Sequence, residues 1–233
     1  MLLSAIHQSI NLLIGFDKEL YSIIFITLKI SIAAIIIAIC ISIPLAISID
    51  LMKSKFKRVI IAILNSLLAI PTVVIGLFVY MTISNSGPFG TYNLLYTPWA
   101  IVIGQTILAI PIVTTMVLAG LTRTDKILHE TLITLGAGRL EIIKALFWEN
   151  KPLILAAVLA GFGRVVAEIG ISMMLGGNIR WYTRTITTAI ALETGKGDFA
   201  LAIALGFILI FFAVIINLSV YLTCKKDYIL KEV

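Results

Sequence analysis

Charge is scarce in this chain. Only 13% of its 233 residues are Asp, Glu, Lys or Arg, against 60% hydrophobic, whereas soluble domains carry about a quarter charged residues. Such a composition cannot hide its apolar surface in one water-facing core, which excludes an ordinary soluble domain. Cysteine is limited to Cys40, inside an apolar run, and Cys224, beside a basic tail. That excludes a disulfide framework and offers no metal-ligand spacing. The histidines are His7 and His129, far apart, and Glu168 is the sole acid near the middle of an apolar run. The convergent acid, base and nucleophile of an enzyme site are therefore missing. No Gly-x-x-x-x-Gly-Lys-Ser/Thr phosphate loop occurs, so the chain lacks the usual cradle for ATP. There is no low-complexity tract and no internal repeat.

Long apolar runs are what the chain has. Roughly Ile30–Ile49, Val59–Ser84, Trp99–Leu121, Leu153–Leu175 and Ala200–Thr223 each reach the roughly 18 apolar residues that a bilayer-spanning helix requires. The expected fold class is an all-α polytopic membrane protein with about five transmembrane helices. Residues 1–29 are expected to be an interfacial amphipathic segment, because His7, Gln8, Asn11, Asp17, Lys18 and Glu19 interrupt their apolar pattern. They lack the basic n-region and small-residue cleavage site of a removable signal, so the first span is expected to act as the anchor. Residues 30–223 form the transmembrane domain, with a polar loop over 122–152, and 224–233 form a tail.

The formal charge of +6 would suggest a nucleic-acid binder on a soluble surface, but here the cations cluster in the short segments between apolar runs. With the N-terminus outside, Lys53, Lys55, Lys57, Arg58, Arg123, Lys126, Arg139, Lys144, Lys151, Lys225, Lys226 and Lys231 fall inside. Lys18, Arg180, Arg184 and Lys196 fall outside. The excess of Lys and Arg on cytoplasmic loops thus predicts an outer N-terminus and a cytoplasmic C-terminus.

Two features inside the spans bear on a path through the membrane. Pro71 and Pro111 sit in similar surroundings, Ala-Ile-Pro-Thr-Val-Val and Ala-Ile-Pro-Ile-Val-Thr. Each frees a backbone carbonyl and is expected to kink its helix, either for packing or as a paired hinge lining a pathway, with Gly76, Gly104 and Gly120 allowing close approach beside it. Arg164 and Glu168 lie one helical turn apart near mid-bilayer. Neither belongs in lipid, so they form either an internal ion pair that fixes packing or a positive element of an anion path held in place by the carboxylate.

Two polar segments remain. Residues 122–152 read as a short amphipathic helix around Glu130 and Leu132, a turn at Gly136 and Gly138, and a second short helix from about Leu140. Leu132, Leu135 and Leu140 give this knob an apolar face suited to a soluble partner. Residues 176–198 combine a Gly-Gly-Asn turn at Asn178, the pair Arg180 and Arg184, expected one helical turn apart, and threonines. That inventory fits a tetrahedral dianion, an acidic partner, or simply a polar loop.

Glu130-Thr131-Leu132, then three residues and Gly136, resembles the Glu-Ala-Ala-x-x-x-Gly loop of bacterial ABC importer permeases, with both alanines replaced and the downstream Leu-Pro absent. The stretch from Leu135 through Arg164, Glu168 and Gly170 is similar to molybdate, sulfate and tungstate permeases. Met174–Arg180, Thr183–Thr185 and Thr187–Phe199 resemble the tungstate-type branch. The resemblance implies a type I ABC importer permease fold in a bacterial or archaeal cytoplasmic membrane. It further implies a permease homodimer, two cytoplasmic ATPase subunits that bind ATP and Mg, an extracytoplasmic substrate-binding protein, and no cofactor or metal on this chain. Glu130, Leu132, Leu135, Gly136, Gly138 and Leu140 would then form the coupling segment.

Overall fold

A computed structural model of the protein describes residues 2–52, 54–122, 131–132 and 134–230. The elements are α1 (Leu2–Ile14), α2 (Lys18–Asp50), α3 (Ser54–Leu68), α4 (Thr72–Ile83), a 3-10 turn at Gly90–Tyr92, α5 (Pro98–Leu121), α6 (Arg139–Glu149), α7 (Lys151–Val166), α8 (Gly170–Gly176), α9 (Ile186–Lys196) and α10 (Phe199–Leu230). Three of these, α2, α5 and α10, are each long and apolar enough to cross a bilayer. The pairs α3 with α4 and α7 with α8, bent by 95° and 58°, are each apolar enough together to form a broken span or a re-entrant loop.

The first span starts earlier than its apolar pattern suggests. Helix α2 begins at Lys18, not near Ile30, so residues 18–29 belong to the bundle, and α1 packs against α10. The charges that seem to interrupt the pattern are its start signal. The Asp17 carboxylate accepts a hydrogen bond from the Leu20 N–H at 2.9 Å, capping α2, and Glu19 lies in the first turn, where the helix dipole favours an anion. Behind them Leu20 and Ile23 are buried with Ile186, Ala189, Ala204 and Leu205 of α9 and α10.

Helices α2 and α5 make the most extensive pairing, and α7 packs on both and on α10. Their shared core holds Ile30, Ala34, Ala38, Ile101, Ala109, Val113, Ala157 and Val165. Alanines at the contacts let the backbones approach, as is usual where no hydrophobic drive separates helix from lipid. Hydroxyls cross the interfaces: Thr106 donates to the Ala34 carbonyl at 3.3 Å and Ser42 to that of Ile110 at 3.2 Å.

The short helix α8 nests between α4 and α5. A β-carbon on Gly104 would fall 2.5 Å from Ile171 and 2.6 Å from Leu175, so α8 can lie this close only because Gly104 has none. Residues 176–185 then turn back over the end of the bundle, where the Tyr96 N–H donates to the Leu175 carbonyl at 2.9 Å.

A candidate translocation site at two broken helices

The two prolines that look alike in sequence do different things. Pro111 lies buried within the unbroken helix α5, surrounded by α2 and α7, so it lines no opening. Pro71 stands at the N-cap of α4, after α3 has ended. Its missing N–H and its restriction on Ile70 turn an expected kink into a break of 95°, and Ala69 and Pro71 are exposed there.

The second break, between Val166 and Gly170, is spanned by one side chain. One Glu168 oxygen accepts the Ile171 N–H at 3.2 Å, at the start of α8. The other accepts the Arg164 guanidinium at 2.7 Å, from the last turn of α7. The Glu168 carbonyl, freed from the helix, accepts hydroxyls from Thr187 at 2.8 Å and Ser172 at 3.2 Å. Gln105, buried in α5, donates to the Val165 carbonyl at 3.5 Å and to the Ser172 hydroxyl at 3.3 Å. Buried backbone carbonyls are thereby paired, and the break is held by groups from α5, α8 and α9.

These breaks meet. A β-carbon on Gly170 would lie 3.0 Å from Val73 and 3.1 Å from the Thr72 hydroxyl, so the first turns of α4 and α8 touch. Ala69 and Pro71 at the first break, and Arg164, Ala167 and Ile169 at the second, are exposed. Irregular backbone at membrane depth is tolerated only where protein or a water-filled cavity covers it. The surface offers a guanidinium and no group placed for bond chemistry.

The segment 176–198 departs from expectation. Arg180 and Arg184 are not one helical turn apart; they lie in a turn between α8 and α9 and converge on Glu19. Arg180 donates to both Glu19 oxygens, at 2.8 and 2.5 Å, and Arg184 donates to one at 3.0 Å. Arg180 stays exposed, and the Glu19 carboxylate beside it raises its pKa further. Arg184 is buried and also faces Glu193 at 3.7 Å. It is thus committed to the fold rather than offered to an incoming anion. Asn178, at a positive φ of 52°, donates to the Thr188 carbonyl at 3.4 Å. The threonines are likewise occupied: Thr183, Thr185, Thr187 and Thr188 are buried and bonded within the loop or to the break.

In the knob, Glu130 and the Leu140 side chain lie outside the described residues, as do Lys53, Arg123, Lys126 and Lys231 of the basic set. The Leu135 and Ala137 N–H groups return to the Thr131 and Leu132 carbonyls at 3.0 Å, closing a helical turn. Gly136 follows it at φ +77° with open space around it, and Leu135 is 78% exposed. The Gly138 N–H donates to Glu141 at 2.7 Å, capping α6.

Glu19, Gln105 and Thr187 escaped the sequence reading. An amide inside an apolar span was the available signal for Gln105; the partners of the other two lie far away in sequence.

Residues 42–224 match the family described as the binding-protein-dependent transport system inner membrane component. The tungstate uptake system permease protein TupB of Peptoclostridium acidaminophilum is 37% identical over 91% of this chain and 93% of its own length. That of Campylobacter jejuni is 38% identical over 90% and 88%, and a probable anion ABC transporter permease of Haloferax volcanii is 34% identical over 82% and 84%. Among solved structures, the inward-facing MetNI methionine ABC transporter superposes with a TM-score of 0.69 at 16% identity, covering 90% of this chain and 98% of that one. A bacterial alginate ABC transporter gives 0.71 at 19%, covering 91% and 80%. The type I importer permease fold, the polytopic helices and the match over most of the chain agree: this protein belongs to the binding-protein-dependent inner membrane transport components, as a transport permease and not an enzyme.

Proposed function

We propose that the chain is the translocation subunit of an ATP-driven importer for tungstate, the alternative being a molybdate or sulfate permease of the same type. The observation that carries this reading is the similarity to tungstate permeases over about nine-tenths of the chain; a molybdenum permease is 25% identical over 83%. The site suits such a role, because an open face with one guanidinium and no reactive constellation moves a dianion without altering it.

The chain works as a homodimer whose open faces, at the helix breaks, oppose one another around a central path. Two ATPase subunits, which hold ATP and Mg, dock at the Gly136 knob, and an extracytoplasmic binding protein docks at the opposite end. The N-terminus lies outside and the C-terminus in the cytoplasm. ATP-driven closure of the ATPases rocks the two permeases and changes which side of the path is open.

The test is reconstitution of the permease with its ATPase and binding protein in proteoliposomes. Tungstate uptake that requires ATP and both partners supports the reading. Uptake without ATPase, or none of any oxyanion with all partners present, overturns it.

A further inference from the structure

A groove of about 410 Å³ runs between α7 and α10 on the open side of the second break. Gly163 and Ala167 form one wall, Phe212 and Ile216 the other, and Arg164 and Asn217 both line it. Of the α10 side chains exposed elsewhere, Ile210, Phe211, Val214 and Leu218 are apolar, and Tyr221 carries a hydroxyl.

The Arg164–Glu168 pair is lopsided here. The Arg164 side chain is 42% exposed and that of Glu168 is 2%, so the guanidinium faces the groove and the carboxylate stands behind it. Only Nη1 of Arg164 bonds to Glu168; its other nitrogens carry no hydrogen bond within the described residues. Asn217 spends one amide hydrogen on the Ala213 carbonyl at 2.8 Å and keeps a second donor. Arg164 lies about 20 Å along α7 from its start, at about 1.5 Å per residue, which is deep in a membrane. An exposed guanidinium at that depth needs water or protein beside it, not hydrocarbon.

We propose that this groove is the site through which the oxyanion passes, with the free donors of Arg164 and the Asn217 amide as its ligands. The inference rests on the importer reading and adds the place, the second residue and the strength of the contact. A lone guanidinium in low dielectric would hold a dianion too tightly to release it. Neutralised from behind by Glu168, Arg164 still presents donors, but without a full net charge. Conduction requires such a contact, favourable enough to enter and weak enough to leave. The groove exceeds the volume of one tetrahedral oxyanion, so the ion keeps part of its hydration shell.

The experiment uses the complete importer in proteoliposomes with labelled tungstate. Asn217→Asp places a carboxylate among the ligands, and its like charge should cut uptake by about tenfold or more while ATPase copurifies as before. Asn217→Gln, which keeps the amide, should retain more uptake than Asn217→Asp. In a background with Cys40 and Cys224 replaced, Asn217→Cys should react with an anionic methanethiosulfonate, and tungstate should slow that reaction. Undiminished uptake by Asn217→Asp, or a modification rate that tungstate does not change, overturns the groove assignment. If the wild-type complex itself moves no oxyanion, the importer reading falls first, so the two failures are distinguishable.

Discussion

Arg164 and Glu168 meet at 2.7 Å, but the carboxylate does a second task that the guanidinium does not: it accepts the Ile171 N–H across the helix break. The pair is thus both an electrostatic unit and a splint. Arg164→Met leaves Glu168 buried without its cation, which for a buried pair costs about 3–5 kcal/mol, less here because Arg164 is partly exposed. The double change Arg164→Met with Glu168→Gln keeps an oxygen for Ile171 and removes the stranded charge. Thermal melting in detergent should rank the single variant below the double. Equal melting points would count against the pairing.

Arg180 and Arg184 should separate in the same assay. Arg184 is wedged between Glu19 and Glu193, its side chain 9% exposed, whereas that of Arg180 is 58% exposed. Arg184→Ala removes a buried cation shared by two carboxylates, although Glu19 keeps Arg180 and Glu193 keeps Lys196 at 3.0 Å, and should cost about 1–3 kcal/mol. Arg180→Ala loses a solvated ion pair and should cost less than Arg184→Ala. If Arg180→Ala proves the more damaging to stability, the assignment of Arg184 as the structural member is wrong.

What the sequence could disclose was local. The apolar runs, the four-residue spacing of Arg164 and Glu168 and the turn at Gly136 are all legible because period and steric rules operate over one or two turns. Pro71 and Pro111 were not separable that way, since their neighbours match. Their surroundings differ in three dimensions: Pro111 is enclosed by α2 and α7, with Ser42 donating to Ile110 and Thr115 donating to the Pro111 carbonyl, while Pro71 stands on an open flank. The break at Glu168 depends on Thr187, and Glu19 on Arg180; such pairings across the chain leave no hydropathy signal. The threonines misled for the same reason, because a hydroxyl free in a sequence is already bonded to backbone in the fold.

Orientation has its own test. The bonds of Glu19 to Arg180 and of Tyr96 to Leu175 gather the start of α2, the α4–α5 loop and the α8–α9 turn at one end. Lys55 follows the other end of α2, about 50 Å away at about 1.5 Å per residue. In a cysteine-free background, Ser86→Cys or Thr194→Cys should react with an impermeant thiol reagent applied to intact cells, and Lys55→Cys only after lysis. Reversed labelling would invert the whole assignment of partners to ends.

The knob decides between a coupled permease and a self-sufficient carrier. Gly136 adopts φ +77°, and a β-carbon there would meet nothing within 4 Å among the described residues. Substitution therefore costs the isolated permease only backbone strain, about 1–2 kcal/mol and less for Asn, which tolerates this region. Any larger effect must come from a surface that packs against the turn. If that surface is an ATPase groove, the neighbouring Leu135 enters it, and an exposed leucine that becomes fully buried contributes about 1.5–3 kcal/mol. Gly136→Glu should then abolish copurification of the ATPase and substrate uptake while the chain remains inserted in the membrane. Gly136→Asn, nearly strain-free in the permease alone, should still weaken association, because its side chain occupies the partner's space. Gly195→Glu, at the opposite end and equally open, should leave ATPase binding intact. Should Gly136→Glu protein copurify with a full complement of ATPase and support uptake, the coupling assignment is wrong, and the energy for transport must enter the chain elsewhere.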